Sequence, residues 1–288
     1  MTRAGQGASA GTIALALGPA MIVIAGCLLL PLATLFRYSF NRFTPEKVML
    51  EAFTLENYVR FFAEAYYREV MLTTVGLALL CTLASLLLGL PVAYFLARTR
   101  SRFKSLLVIA VLFPLLVGNV VRAAGWMAFL GREGFLNVTL LKLGFIQQPV
   151  EFMYTAFAVF LGLLGVLLPF MILSLQSVLE GIDFDLFDAA KNLGATPAAA
   201  FRKIILPLSI PGISAGSVLV FTVAMNAYAT PYLLGGPGFK MMAPTLYKQI
   251  TVASNWPFGA ALAFVLIAVT FVATGLSTWI LARQYRAR

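Results

Sequence analysis

The sequence has no histidine in 288 residues. That removes imidazole acid–base catalysis, Ser/His/Asp and Cys/His nucleophilic sets, and histidine-ligated metals. Charge is scarce, at 11% Asp, Glu, Lys and Arg against about 25% in soluble domains. Acid is scarcer than base, with eleven acidic residues against twenty-one basic ones. No Asp or Glu falls inside an apolar run between Leu106 and Leu179, so an intramembrane carboxylate proton relay has no support. The two cysteines, Cys27 and Cys81, sit in apolar stretches, where a small buried hydrophobe is the simplest role. No G-x-x-x-x-G-K-[ST] run occurs, and Gly235-Gly236-Pro237-Gly238 lacks the lysine and following helix of a phosphate loop.

What remains is apolar: 61% of residues are hydrophobic. Six runs are long enough to cross the roughly 30 Å hydrocarbon core: about 13–36, 71–97, 106–130, 154–179, 213–234 and 259–282. The first could be a cleavable signal peptide, but its length, Pro19, Pro31 and the lack of a small-residue cleavage site favour a span. The chain divides into a tail at 1–12, a transmembrane domain at 13–284 and a basic tail at 285–288. The fold class expected is an all-α integral membrane protein of six transmembrane helices. The net charge of +10 is spread over the segments between spans, which suits orientation in an anionic membrane rather than nucleic-acid binding. The cluster Arg98, Arg100, Arg102 and Lys104 and the arginines after Leu281 predict that both termini face the cytoplasm.

The segment 180–211 interrupts this pattern and carries four of the eleven acids. It predicts two short helices with a tight turn. Asp183 or Asp185 can cap the first, and acids there suit the positive end of the helix dipole. Leu186, Phe187, Ala190 and Leu193 fall on one apolar face. Gly194 can end the helix in the left-handed conformation, and Thr196-Pro197 can cap and start the next.

Asp188-Ala189-Ala190, then Gly194, Ile204 and Leu206-Pro207 at their spacing, resemble the EAA loop of bacterial ABC importer permeases; Asp188 stands where glutamate is usual. The alternative is an amphipathic helix lying on the inner leaflet, which three acids in six residues disfavour. Leu55-Glu56-Asn57-Tyr58, the run Pro114 to Trp126 with Gly131, Gly134 and Asn137, Thr230 to Pro237, and Asn255 to Gly259 resemble the spermidine/putrescine-type permeases. The resemblance implies a type I (MetI-like) permease fold with a cytoplasmic coupling-helix loop in the bacterial inner membrane. It also implies a transport subunit that is not itself an enzyme and binds no cofactor, ATP being hydrolysed by a partner. The implied partners are a cytoplasmic ABC ATPase dimer, a second permease (usually forming a heterodimer), a periplasmic solute-binding protein and membrane lipid, with no nucleic acid. On that resemblance Leu186, Phe187, Asp188, Ala189, Ala190, Gly194, Ile204, Leu206 and Pro207 form the ATPase-coupling segment, with Leu186 and Phe187 as the docking face. The loops around Asn137 and Gly235–Trp256 would meet the binding protein.

Candidates for the solute path are Arg122, Trp126, Asn226, Tyr228 and Thr230. Arg122 and Trp126 also fit interfacial anchoring, and the polar residues of the fifth run also fit helix–helix hydrogen bonding. A polyamine site favours carboxylates and aromatic faces; the runs supply aromatics without acids, and Arg122 would repel a cation. The solute expected is a polyamine or a related small organic molecule, such as an opine or amino acid derivative. The competing class is a self-contained secondary transporter or channel, which calls for midplane ionisable groups and an inverted repeat; neither is visible.

Overall fold

In a computed structural model, residues 10–286 are described. Residues 1–9 and 287–288 of the two tails, with Arg3 and Arg288, lie outside the described residues. The described residues form helices, with one isolated antiparallel bridge, Arg42 to Leu50, in place of any strand. Four helices are long and apolar enough to cross a membrane, and two bent pairs raise the number to six when each is one span.

Helix α1 (Ala10–Tyr38) is followed by a polar segment holding α2 (Glu56–Ala63), then by α3 (Ala65–Arg98). Residues 37–69, between the first two apolar runs, are not a plain loop, because Asn57 organises them. Its buried side-chain amide donates to the carbonyls of Ser39 (2.8 Å) and Asn41 (2.9 Å), fixing α2 against the end of α1. Such a staple satisfies carbonyls that a turn would otherwise leave unpaired.

The third apolar run is not one straight span. It is α4 (Lys104–Leu116) and α5 (Asn119–Leu130), and the axis turns by 95° between α4 and the segment Asn119–Lys142. Val117 and Gly118 take extended backbone at the break. Hydropathy averages over such a break because both sides are apolar; Pro114 and Gly118 are the local weak points. The loop after it contains α6 (Phe135–Lys142), closed by buried Asn137. Asn137 donates to Gly131 O (3.0 Å) and Val150 O (2.9 Å) and accepts from Val150 N (2.9 Å).

Helix α7 (Ala156–Leu179) is the centre of the bundle and packs against both α3 and α11 (Ile210–Met225). The contacts are close because small residues line them, as expected where hydrophobicity alone cannot drive helices together in lipid. A Cβ on Gly216 of α11 would lie 2.7 Å from Met171 Sδ on α7. The fifth run also differs from expectation. Its helix stops at Met225, Asn226 to Tyr228 break it, and α12 (Ala229–Leu234) continues separately. A further helix, α13 (Met242–Thr251), occupies much of the expected loop Gly235–Trp256. It is tied to α3 by a hydrogen bond from Met242 N to Thr74 Oγ1 (2.9 Å). Last comes α14 (Trp256–Arg286), whose first turn is capped by Asn255 Oδ1 accepting from Phe258 N (3.0 Å).

Candidate functional site

Two places collect the residues singled out above: a hairpin between α7 and α11, and a cavity at the break between α11 and α12.

The hairpin consists of α8 (Asp185–Asn192) and α9 (Pro197–Ala200), the latter continuing through a π turn (Phe201–Ile205) into α10 (Leu206–Leu208). Asp183, not Asp185, serves the entry: its Oδ1 accepts from Asp185 N (3.0 Å), while Asp185 opens the first turn. The turn between the helices is a Schellman closure. Gly194 has φ +90°, Gly194 N donates to Lys191 O (2.9 Å) and Ala195 N to Ala190 O (3.0 Å). Thr196 Oγ1 then accepts from Ala199 N (3.3 Å), and Pro197 starts α9. The π turn precedes Pro207, which has no N–H to give the preceding turn; Leu206 N reaches back to Phe201 O. The axis bends by 64° between Pro197–Leu208 and α11.

The expected apolar face of α8 is divided. Phe187 is buried at 5% exposure and Ala190 is half-buried, whereas Leu186 (51%) and Leu193 (90%) point outward. Leu186 and Phe187 therefore do not share one exposed face: Phe187 packs into its own chain, whereas Leu186 and Leu193 are open. Ala189 is exposed, and Ile204, Leu206 and Pro207 are half-buried, with Ile205 between them fully buried.

The inward side of α8 meets the end of α3. Arg98 stacks its guanidinium on Phe187 (5.3 Å to the ring centroid) and faces Asp188 (3.6 Å). Asp188 also lies 3.9 Å from Lys191. One turn earlier, Tyr94 contacts Phe184 ahead of α8 (5.8 Å) and Phe201 after α9 (5.4 Å). Beside this, Lys104 at the start of α4 pairs with Glu180 at the end of α7 (2.8 Å). Hydrogen bonds from Gln176 first, and from Lys104 second, hold the Glu180 carboxyl below its ordinary pKa. Tyr94 and Arg98 are contributors that the sequence did not single out. The nearest signal was the basic cluster, which reads as a membrane-orientation signal.

At the other end of α11, Asn226, Tyr228 and Thr230 come together around a cavity of about 470 Å³, with Asn119 and Leu163 on its wall. Asn226 Nδ2 donates to Thr222 O (2.9 Å), turning its side chain back along α11. Tyr228 stacks on Tyr232 (5.3 Å) and tilts against Tyr247 of α13 (4.7 Å), and the latter two rings are each more than 40% exposed. Tyr232 belongs to a second cavity of about 330 Å³, which also has Tyr66, Lys240 and Lys248 on its wall. Lys240 itself rests on Tyr66, 4.6 Å from the ring centroid. Tyr232 belongs to the Thr230–Pro237 run but not to the solute-path candidates above, and Tyr247, on α13, belongs to neither.

Arg122 and Trp126 are not brought to that cavity's wall. Arg122 donates from Nη2 to the Val117 carbonyl at the α4–α5 break, and its Nε and Nη1 are buried without a hydrogen-bond partner among the described residues. Trp126 packs over α7, where a Cβ on Gly165 would lie 3.5 Å from its ring. Gly162, one turn earlier, seats α12: a Cβ there would lie 2.5 Å from Leu234 Cδ1 and 2.7 Å from Thr230 Cγ2.

Comparison with known proteins bears on both places. Residues 85–285 match the family described as binding-protein-dependent transport system inner membrane component. The spermidine/putrescine transport system permease protein PotB of Escherichia coli K12 is 40% identical over 217 residues, 75% of this chain and 78% of its own length. The inner membrane ABC transporter permease protein YdcU of the same organism is 34% identical over 282 residues, 93% of this chain and 88% of its own. Among solved structures, a chain of a bacterial ABC transporter that imports the acidic polysaccharide alginate superposes with a TM-score of 0.78 at 17% identity, covering 94% of this chain and 95% of that one.

Proposed function

Because the chain belongs to the binding-protein-dependent transport system inner membrane component family, and is a permease subunit of an ABC importer, we propose that its solute is a polyamine of the spermidine/putrescine class. The observation that carries this reading is the 40% identity to PotB over most of both chains. The tyrosine cluster supports it. Half-buried Tyr228 and the exposed rings of Tyr232 and Tyr247 form one electron-rich cluster beside a cavity, and protonated amines are attracted to such faces. The objection raised by Arg122 weakens, since its guanidinium turns to the Val117 carbonyl rather than to that cavity.

In this reading the chain hydrolyses no ATP and binds no cofactor. It pairs with a second, related permease; PotC of Escherichia coli K12 is 36% identical over 105 residues, 36% of this chain. Two cytoplasmic ATPase subunits dock on the hairpins, and a periplasmic binding protein delivers the solute to the opposite side, against the loops near Asn137 and Gly235–Trp256. Both termini face the cytoplasm, consistent with the basic run 98–104 lying at the hairpin end through Arg98–Asp188 and Lys104–Glu180. The docking surface on α8 is Leu186 and Leu193, with Gly194 setting the turn and Asp188 behind them. ATP and the loaded binding protein favour the outward-open state because each binds it better, and their effects are coupled as linkage requires.

The test is native mass spectrometry of the cognate binding protein, followed by ATPase assays of the reconstituted complex. A bound polyamine, and hydrolysis stimulated by polyamine-loaded binding protein, are the expected results. A different bound solute that alone stimulates hydrolysis would replace the substrate assignment.

A further inference from the structure

We propose that Arg98 and Tyr94, at the end of α3 nearest the hairpin, are positioning residues that carry movement of the hairpin into the membrane helices. The proposal rests on the reading of the hairpin as the ATPase-docking element, but adds a route through named side chains. A short hairpin can transmit a push only if something rigid meets its far side. The helix α8 is only eight residues long, and α9 is shorter still. Their own hydrogen bonds would let them swing about the 64° bend before α11.

The geometry supplies that second anchorage. Arg98 makes three contacts at once: it stacks on Phe187 (5.3 Å), faces the Asp188 carboxylate (3.6 Å), and donates from Nη1 to the hydroxyl of Tyr94 (3.3 Å). The Tyr94 ring in turn touches an aromatic ring on each limb of the hairpin, Phe184 and Phe201. Both limbs are thus held against one turn of α3. That helix packs along α7 and α11 through the bundle, so displacing its end displaces the core.

The contact is built for orientation rather than for stability. Arg98 and Asp188 are about half exposed, and exposed ion pairs add little to folding. The planar guanidinium can stack and pair simultaneously, which an ammonium cannot reproduce. Asp188 stands where the resemblance has glutamate, and the structure turns it toward Arg98 of its own chain. Lys191, 3.9 Å away, is its alternative partner.

The test uses the complete complex in proteoliposomes with Arg98→Ala, Arg98→Gln and Arg98→Lys variants. Arg102→Ala serves as the control, since Arg102 belongs to the same basic run but rests on its neighbour Phe103. Three quantities are read: ATPase-subunit affinity, ATP turnover, and solute imported per ATP. The Ala and Gln variants are expected to keep affinity within about twofold and to lose at least about fivefold in solute per ATP. The Lys variant should fall between, and Arg102→Ala should match wild type. Unchanged solute per ATP in both Ala and Gln variants would overturn the proposal. So would a loss of ATPase affinity matching the loss of transport, which would make Arg98 part of the docking surface. Failure of the underlying reading looks different: a Leu193→Cys probe on the hairpin would then give no cross-link to the ATPase subunit even in the unsubstituted background.

Discussion

Gly194 offers a prediction in which strain and crowding separate cleanly. Its φ is +90°, and a Cβ added there would meet no heavy atom within 4 Å. Within this chain the effect of Gly194→Ala is therefore backbone strain, about 1–2 kcal/mol for an L-residue held in the left-handed region. Asparagine visits that region more readily than alanine, and β-branched residues less readily. The order of tolerance should run Gly, Asn, Ala, Val. If the free hairpin relieves the strain by opening the turn and docking restores it, the dissociation constant for the ATPase subunit rises by up to about 5–30-fold in Gly194→Ala. The assay is ATPase binding to the permease pair in nanodiscs, with circular dichroism checking that helix content is unchanged. Equal affinity for Gly and Ala together with equal thermal stability would refute the reasoning. An Asn variant less thermally stable than Ala would refute it as well, because a Cβ at this position meets no atom of the chain that could reverse the order.

Three further expectations follow from the geometry. Leu186→Ser should leave thermal stability within about 0.5 kcal/mol yet weaken ATPase binding, whereas Phe187→Ala should cost about 3 kcal/mol as a buried aromatic truncation; thermal melts and binding assays on both variants check the split. Gly162→Ala pushes a methyl against Leu234 and Thr230, so solute uptake should fall with an overpacking cost of about 1–3 kcal/mol while ATPase affinity stays unchanged. Ionised Glu180 holds the Lys104 and Gln176 contacts, and its folded pKa is lowered. Its contribution is complete above the ordinary carboxylate value of about 4.3 and is lost as pH falls below that through the folded value. The difference in melting temperature between wild type and Glu180→Gln should therefore shrink as pH drops from 7 to below 4.

The sequence made the helical membrane class legible because length and hydropathy are dictated by bilayer thickness. It also made the hairpin legible, since Gly194 and Thr196-Pro197 are local signals that need no tertiary partner. The breaks at Val117–Gly118 and Asn226–Tyr228 were not legible, because apolar residues on both sides give one continuous run. The short helices α2, α6 and α13 were hidden for the opposite reason: they lie in mixed polar segments where the organising groups are single buried asparagines and a distant Thr74. Leu186 and Phe187 differ in exposure because they lie on different sides of α8. Adjacent helical residues point about 100° apart, and only the position of Arg98 shows which of the two turns inward. Arg98 itself was concealed within a cluster whose evident purpose is orientation in the membrane.

The most direct test of the central claim is polyamine uptake into proteoliposomes holding this chain, its second permease and the ATPase pair. Accumulation that requires ATP and the binding protein and is abolished by Asp188→Lys is the expected result. Uptake by the permease chains alone, driven by an ion gradient and indifferent to Asp188→Lys, would contradict it.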